Sequence, residues 1–247
     1  MNQSIVVTGM VLKTAPIGEY DKRVVILTRE VGKISAFAKG ARRPNSSLIG
    51  AVNPFSFGQF TLYEGRTAYS IQQAVITNYF SELREDVESA YYGMYFLEFA
   101  DYYGREFNDE TQMLKLLYQT MRALVKRSIR YPLLRYIYEL KAVCINGEAP
   151  QVSHCITCGD QERPMVFSAL KGGIVCSECR QQIQDAQQIS ESTLYTLQYI
   201  VGSSIEKLYT FTVSEEVFTE LKAIVEYYIS IYVEKEFKSL EILKTLI

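Results

Sequence analysis

The chain has 247 residues, of which 48% are hydrophobic, and its 26 Lys and Arg against 28 Asp and Glu give a net charge of −2. No uncharged apolar run approaches the roughly 18 residues of a membrane span, and the opening Met1-Asn2-Gln3-Ser4 lacks the charged and apolar regions of a signal peptide. Composition therefore favours a soluble cytoplasmic protein with one large domain or two to three small ones.

Charge is distributed unevenly along the chain. Residues 1–79 carry nine Lys and Arg against four Asp and Glu, a net of +5. The remaining residues carry 17 against 24, a net of −7. Such asymmetry is typical of a module that binds an anion, joined to a module that does not.

The basic part of the chain contains five runs with strand character. They are Ser4–Thr14, Lys22–Thr28, Gly32–Ala38, Phe55–Tyr63 and Ala68–Thr77. Turn residues predict one hairpin through Arg29-Glu30-Val31-Gly32 and another through Glu64-Gly65-Arg66, while the long loop Lys39–Pro54 separates them. Five short strands in about 80 residues predict a small closed barrel, with an OB-fold as the leading candidate and an SH3-like barrel as the alternative.

Helical periodicity replaces the strand pattern after Phe80. Aromatic residues at helical spacing in Ser81–Phe107 are interpreted as core rather than as a surface for stacking bases. Further helices are predicted at Asp109–Arg130, Pro132–Asn146, Ser190–Val201 and Ser214–Glu236. The predicted fold class is α+β: an N-terminal five-stranded OB-fold β-barrel (1–80), then an α-helical bundle domain (81–149 and 188–247) carrying a four-cysteine zinc-ribbon insertion (150–187).

Four cysteines stand in two pairs, Cys155-x2-Cys158 and Cys176-x2-Cys179. At this spacing, two tight turns hold four thiolates around one tetrahedral zinc ion. The alternatives are disulfides, which a cytosolic chain disfavours, and four ordinary buried thiols. Because four thiolates fill every ligand position, we expect one structural Zn²⁺ per chain rather than a catalytic ion.

Two other residues near this motif are interpreted as bystanders. His154, the only histidine, adjoins Cys155, and we expect it to be an exposed neighbour of the site with ligation as the alternative. Cys144 lies in an apolar stretch and is interpreted as a small core residue.

The densest group of cations is Lys39-Gly40-Ala41-Arg42-Arg43, followed by Pro44 and small polar residues. Arg forks together with Ser and Asn donors suit phosphate oxygens. Because the second and third strands of an OB-fold form part of its binding face, four more cations extend the predicted anion site. They are Lys22, Arg23, Arg29 and Lys33. A solvated surface side chain is the alternative for any one of these cations, but the cluster favours anion binding.

The basic part of the chain contains an ordered series of motifs: Glu19-x-Asp21-x-x-Val24-Val25-Ile26-Leu27-Thr28-x-Glu30-x-Gly32, then Ala38-Lys39-Gly40-Ala41-Arg42-Arg43, then Pro54-Phe55. This series is similar to the N-terminal domain of the RecO family of bacterial DNA repair and recombination mediators. The same family is matched further on by Tyr138-Glu139-Leu140, Gly172-Gly173 and Leu240. The resemblance therefore spans essentially the whole chain.

What the resemblance implies is binding and not catalysis. RecO-like proteins bind single- and double-stranded DNA, anneal complementary strands, recognise the C-terminal tail of single-stranded DNA-binding protein, and act with RecR to load RecA. By resemblance, Lys39, Arg42 and Arg43 are the leading DNA contacts. Tyr20 and Phe37 are candidates for stacking on bases, ranked below phosphate contact.

A receptor for the acidic tail of single-stranded DNA-binding protein needs an apolar pocket beside cations, because that tail ends in an aromatic residue in this family. The helical domain offers four candidate cations for it. They are Lys126, Arg127, Arg130 and Arg135. Relatives often carry Arg directly before the aromatic-Glu-Leu element, whereas this chain has Ile137, and this difference leaves the position of the pocket open.

Two readings from other classes stay open. A zinc-ribbon nucleic-acid-binding factor of transcription or RNA processing would also combine a ribbon, a barrel and basic residues. A metal-dependent hydrolase or deaminase would need an open metal position, and Cys176-Ser177-Glu178 matches only part of a deaminase signature. With no Walker loop, no nucleophile elbow and a single histidine, the chain is not expected to be an enzyme.

Overall fold

The computed structural model describes residues 4–65 and 68–246, so Arg66 in the second predicted hairpin turn lies outside the described residues. The chain divides into two compact units. Unit 1 comprises Met1–Val125 and Phe237–Ile247, and unit 2 comprises Lys126–Glu236.

Unit 1 contains a closed barrel of five strands, as predicted. The strands are β1 (Ser4–Ile17), β2 (Asp21–Thr28), β3 (Lys33–Ala38), β4 (Phe57–Glu64) and β5 (Tyr69–Asn78). They close in the order β1-β2-β3-β5-β4, with β4 returning to β1. Adjacent strands are antiparallel except β3 and β5, which pair in parallel where Ala36 faces Tyr69. This arrangement is that of a five-stranded OB-type barrel.

Alternation of side chains along the strands decides which residues face the barrel interior. On β2, Val24 and Ile26 are fully buried, while Arg23, the residue before Val24, is exposed. On β3, Ile34 and Ala36 are buried and Phe37 is exposed. The outer faces of β2 and β3 therefore present polar and aromatic side chains to solvent.

Helices follow the barrel. They are α1 (Val87–Tyr103), α2 (Thr111–Lys126), α3 (Tyr131–Ile145), α4 (Glu191–Gly202), α5 (Glu215–Tyr232) and α6 (Lys238–Leu246). The single helix predicted over Ser81–Phe107 is wrong at both ends. At its start, a short 3-10 turn over Ser81–Arg84 comes first, and α1 begins only after Asp86. The Asp86 side chain caps α1 by accepting a hydrogen bond from the Ser89 N–H. Gly104 ends α1.

The aromatic stripe of α1 is buried, as predicted. Tyr95 and Phe99 are fully buried. Their rings contact Phe237, at centroid distances of 5.4 and 5.2 Å. Ser239, in the first turn of α6, donates from its hydroxyl to the Glu98 carboxylate at 2.6 Å. Helix α6 thus packs on α1, a contact between positions 141 residues apart that periodicity alone did not predict.

Unit 2 consists of α3, α4 and α5 with a small cysteine-bearing sheet. Pro132 lies in the first turn of α3, and Ser190 and Ser214 cap α4 and α5 as their side chains accept N–H bonds. At the far end of α4, the buried ammonium of Lys141 donates to the carbonyls of Val201 and Ser203, both at 2.8 Å. The last carbonyls of α4 are thereby satisfied within the protein.

The sheet of unit 2 has the strands β6 (Met165–Ser168), β7 (Gly173–Cys176) and β8 (Gln187–Gln188), with β6 in the centre. Cys144, near the end of α3, is half-buried, and burial raises the pKa of its thiol to about 11. Within the described ranges, every helix is too short or too polar to span a membrane.

Candidate metal site and nucleic-acid interface

The four paired cysteines meet at one end of β7. Cys176 is the last residue of β7, and Cys179, three residues further along the chain, begins a 3-10 turn. Cys155 and Cys158 lie in a turn closed by the Gly159 N–H donating to the Cys155 carbonyl at 2.8 Å. The Ile156 N–H donates to the Ile174 carbonyl at 2.9 Å, which fixes this turn against β7.

The sulfur atoms have the separation that a zinc ion requires. All four Sγ atoms lie within 4.8 Å of one another, and those of Cys158 and Cys176 are 3.6 Å apart. A tetrahedral Zn²⁺ with Zn–S bonds of about 2.3 Å sets its sulfurs about 3.8 Å apart. The cysteines therefore form a group that fits a metal ion, whereas a disulfide needs about 2.05 Å between sulfurs.

Backbone N–H groups favour thiolate at two of these sulfurs. Burial acts to raise the pKa of Cys155, but N–H donors of the two turns lower it to about 6. The N–H of Cys179 lowers the pKa of Cys176 in the same way. His154 is half-buried beside the site, and its Nδ1 lies 3.0 Å from the Ser153 hydroxyl. It is not a member of the cysteine group.

The basic turn after β3 is held against the turn between β1 and β2. Gly40 adopts a positive φ of 65°, and its N–H donates to the Asp21 carboxylate at 2.7 Å. The Arg42 N–H donates to the Tyr20 carbonyl at 2.9 Å, and Ala41 between them is fully buried. This anchoring leaves the flanking side chains of Lys39, Arg42 and Arg43 exposed.

Lys22 joins the same group of cations. Burial lowers its pKa, and the positive charge of Arg42 lowers it further. The Lys22 ammonium donates to the Asn53 side-chain oxygen at 2.9 Å. The Arg43 guanidinium lies over the ring of Tyr20, 5.1 Å from its centroid. We name Lys22, Lys39, Arg42 and Arg43 the cation cluster.

The other three predicted DNA contacts lie outside the cation cluster. Arg23 points from the outer face of β2 and donates from Nε to the Ser35 hydroxyl at 2.8 Å. Arg29 forms an ion pair with Glu30 at 2.9 Å. Lys33 donates to the Asp101 carbonyl at 2.5 Å and also lies 3.3 Å from its carboxylate. The ammonium of Lys33 is thus engaged within the fold.

The four cations proposed for tail recognition have two different environments. Lys126 and Arg127 are exposed. The Arg130 guanidinium pairs with Glu215 and stacks on the ring of Phe218, 3.8 Å from its centroid. Arg135 is largely buried and donates to the fully buried Glu139 at 2.6 Å. The structure does not gather the four head groups into one exposed site.

Two positioning residues were missed at the sequence level. Asp21 holds the Gly40 N–H and Asn53 holds the Lys22 ammonium, over 19 and 31 residues of chain. Asp21 belongs to the quoted motif, but no local pattern links it to residue 40. Only closure of the barrel brings these partners together.

These features define a class of protein: an OB-type barrel with an exposed cation cluster, joined in one chain to a helical unit with a four-cysteine group. Two family models cover almost all of this architecture. "Recombination protein O N terminal" matches residues 1–80, and "Recombination protein O C terminal" matches residues 84–241.

Curated relatives match over nearly their full length. The DNA repair protein RecO of Alkaliphilus metalliredigens is 32% identical over 238 residues, 96% of this chain and 97% of the relative. That of Acetivibrio thermocellus is 34% identical over 241 residues, 97% of this chain and 96% of the relative. That of Symbiobacterium thermophilum is 32% identical over 246 residues, with 97% and 96% covered. The chain belongs to the RecO family of DNA repair and recombination proteins.

Proposed function

We propose that this protein is a recombination mediator that binds single- and double-stranded DNA through the cation cluster and anneals complementary strands. With RecR, it helps to load RecA onto strands coated with single-stranded DNA-binding protein. The observation that carries the proposal is the cation cluster itself. Its turn is fixed by the Gly40–Asp21 and Arg42–Tyr20 bonds, so the backbone that carries the exposed cations is already folded before DNA binds.

The cation cluster suits phosphate rather than base recognition. Lys39, Arg42 and Arg43 are exposed, and their positive charges neutralise phosphates with release of counterions. Guanidinium groups also donate in a fork that matches phosphate oxygens. Such contacts depend on salt and little on sequence. A surface that neutralises phosphates lowers the repulsion between two strands, which is what annealing requires.

The cysteine group acts in this proposal as a structural zinc site. Thiolates from Cys155, Cys158, Cys176 and Cys179 would hold one Zn²⁺, filling all four positions of its tetrahedron. The bound ion would tie the first turn to the end of β7, since Ile156 and Cys176 belong to these two segments. The role proposed for the ion is stability, and the protein is proposed to act by binding and not as an enzyme.

For the partner surface we propose Lys126, Arg127, Arg130 and Arg135 as cations for an acidic protein tail. Arg135 is the weakest member of this set, because it is largely buried and donates to Glu139. The proposed compartment is the bacterial cytoplasm, with association to the nucleoid during repair.

The experiment that tests the proposal monitors by fluorescence the annealing of two complementary oligonucleotides coated with the cognate single-stranded DNA-binding protein. Wild type is compared with Arg42→Glu/Arg43→Glu, and circular dichroism checks both folds. Annealing by wild type and its loss in the folded variant support the proposal. A wild type that binds DNA without annealing it would favour a zinc-ribbon nucleic-acid factor of another kind.

A further inference from the structure

One face of the barrel is built from strand segments without charged residues. Residues 4–12 of β1, 57–63 of β4 and the whole of β5 contain no Lys, Arg, His, Asp or Glu. Charged residues make up 22% of the chain, so a gap of this size does not follow from composition alone. These three strands are neighbours in the barrel, because β4 pairs with both β1 and β5.

Strand register arranges the outward side chains of these segments in two rows. Alternation sends the residues between them, among them Val7 and Phe60, into the barrel core. The first row is Val6, Thr61 and Gln73, and the second row is Thr8, Gln59 and Val75. We name these six residues the neutral face.

The two valines of the neutral face are largely exposed. Val6 is 58% exposed and Val75 is 57% exposed. They lie in different rows and on opposite sides of β4. From the spacing of strands and residues they are about 12 Å apart, which is too far for one valine to cover the other within a single copy. Only another molecule can remove this apolar surface from water.

A charged pair lies at the edge of the neutral face, beside Thr8. The Thr8 N–H donates to the Glu30 carboxylate at 2.7 Å, and Arg29 pairs with Glu30 at 2.9 Å. A charge-depleted centre with a polar rim is the composition of a protein–protein interface. DNA and acidic peptides find no cation among the six residues, so the partner that fits them is an uncharged protein surface.

A second copy of this chain supplies such a surface. In a two-fold contact both copies present the same patch, and residue i of one copy meets residue j of the other and the reverse. Like charges on such a patch would repel, and the neutral face has none. Gln and Thr side chains carry both donors and acceptors, so the same residues of two copies can hydrogen-bond one another. A two-fold axis that crosses β4 between the rows brings Val6 of each copy onto Val75 of the other and covers both valines.

We propose that two copies of this protein associate through the neutral face, with Val6 of each copy on Val75 of the other. With its flanking uncharged side chains the face covers on the order of 300 Å² by strand spacing. A standard interface buries about 800 Å² on each partner. The dimer is therefore weak and depends on protein concentration, with a dissociation constant of about 10–100 µM.

The part of this contact in annealing rests on the proposed function, whereas the association itself does not. Lys22 of the cation cluster pairs across from Pro16, ten residues beyond Val6 along β1, so a copy on the neutral face leaves the cation cluster open. Two DNA strands that each carry several copies are then drawn together by many weak contacts acting at once. Weak contacts also allow the copies to separate after the strands have paired.

The test measures the association of the full chain without DNA, by sedimentation equilibrium between about 1 and 200 µM. Val6→Lys and Val75→Glu each place a charge at an exposed position of the neutral face, and circular dichroism checks that both variants are folded. Each charge then faces a valine of the other copy, so association of either variant alone should be about 100-fold weaker or more.

Mixing the two variants should restore a dimer. In the mixed dimer the lysine of Val6→Lys faces the carboxylate of Val75→Glu, and the other contact remains valine on valine. The matched control is Val87→Glu, which changes a valine that is 64% exposed at the start of α1. Val87→Glu alone should associate like wild type, and it should not form a dimer with Val6→Lys.

A wild type that is monomeric over the whole concentration range would overturn the inference and leave the neutral face to a different protein. Wild-type association of Val6→Lys or Val75→Glu, or a mixture of the two that stays monomeric, would overturn it as well. Annealing by a monomeric wild type would refute this inference alone. A dimeric wild type that does not anneal DNA would refute the proposed function and leave the dimer standing.

Discussion

The cation cluster makes a quantitative prediction about the salt dependence of DNA binding. If its four members each neutralise one phosphate, the logarithm of single-strand affinity should fall with the logarithm of salt with a slope of about −2.8. Between about 50 and 200 mM salt this corresponds to a loss of affinity of about 50-fold. The double variant Arg42→Ala/Arg43→Ala leaves two contacts, a slope of about −1.4 and a loss of about 7-fold.

The variant should stay folded, so that the slope reports on contacts. Ala keeps the Arg42 N–H that donates to the Tyr20 carbonyl, and the lost interaction of Arg43 with the Tyr20 ring is exposed and contributes about 0.5–1 kcal/mol. Circular dichroism and the urea midpoint check this. Binding is measured by anisotropy of a labelled single strand across a salt series.

A matched control removes the same charge elsewhere. Arg122 and Lys222 are exposed in the middle of α2 and α5, and Arg122→Ala/Lys222→Ala lowers the net charge equally. Its slope should equal that of wild type. A wild-type slope in Arg42→Ala/Arg43→Ala, or an equal change in both double variants, would refute the contact argument and leave only a long-range effect of net charge.

Two further predictions concern the cysteine group and the partly buried carboxylate of Asp101. If the cysteine group holds one Zn²⁺ as proposed, Cys176→Ser should lower the metal content from about one ion per chain and lower the free energy of unfolding while DNA affinity is retained. Metal analysis and anisotropy check this, and lost binding by folded protein would contradict it. Burial acts to raise the pKa of Asp101, but hydrogen bonds and charges of Lys13 and Lys33 lower it below its ordinary 3.8. The stabilisation by the ionised Asp101 carboxylate is present above pH 3.8 and is lost as the pH falls through the lower, folded-state pKa. Asp101→Asn should therefore lower the free energy of unfolding by about 2 kcal/mol at neutral pH and by progressively less in acid. A loss that does not change with pH in urea titrations would contradict this prediction.

Features that depend on neighbouring residues were predictable from the sequence. Period-two alternation located all five strands to within a few residues, because one face of each strand fills the barrel. The C-x2-C spacing correctly predicted that the four cysteines form one group, because each pair forms its own tight turn. The aromatic stripe of α1 was correctly assigned to the core, because its spacing follows the helix.

Helix ends were less predictable where the chain changes direction. The helix predicted over Ser81–Phe107 is divided at Asp86, whose carboxylate caps α1, and ends at Gly104. Helix α6 was missed because it is short and its apolar face is recognisable only once it packs on α1, where Phe237 contacts Tyr95 and Phe99. The domain bounds predicted from periodicity stay a prediction. The fold itself divides into two compact units.

The sequence by itself determined the barrel, the cysteine group and the basic turn, since each is specified by side chains a few residues apart. Only the tertiary structure decided which cations are available to a ligand. Lys33 and Arg135 look like Arg42 in sequence, yet Asp101 and Glu139 engage their head groups in the fold. It also fixed Phe107 beside the hairpin between β2 and β3, because the Phe107 N–H donates to the Val31 carbonyl. A charge or a ring acquires its partners only when distant segments pack, and that information is absent from any local pattern.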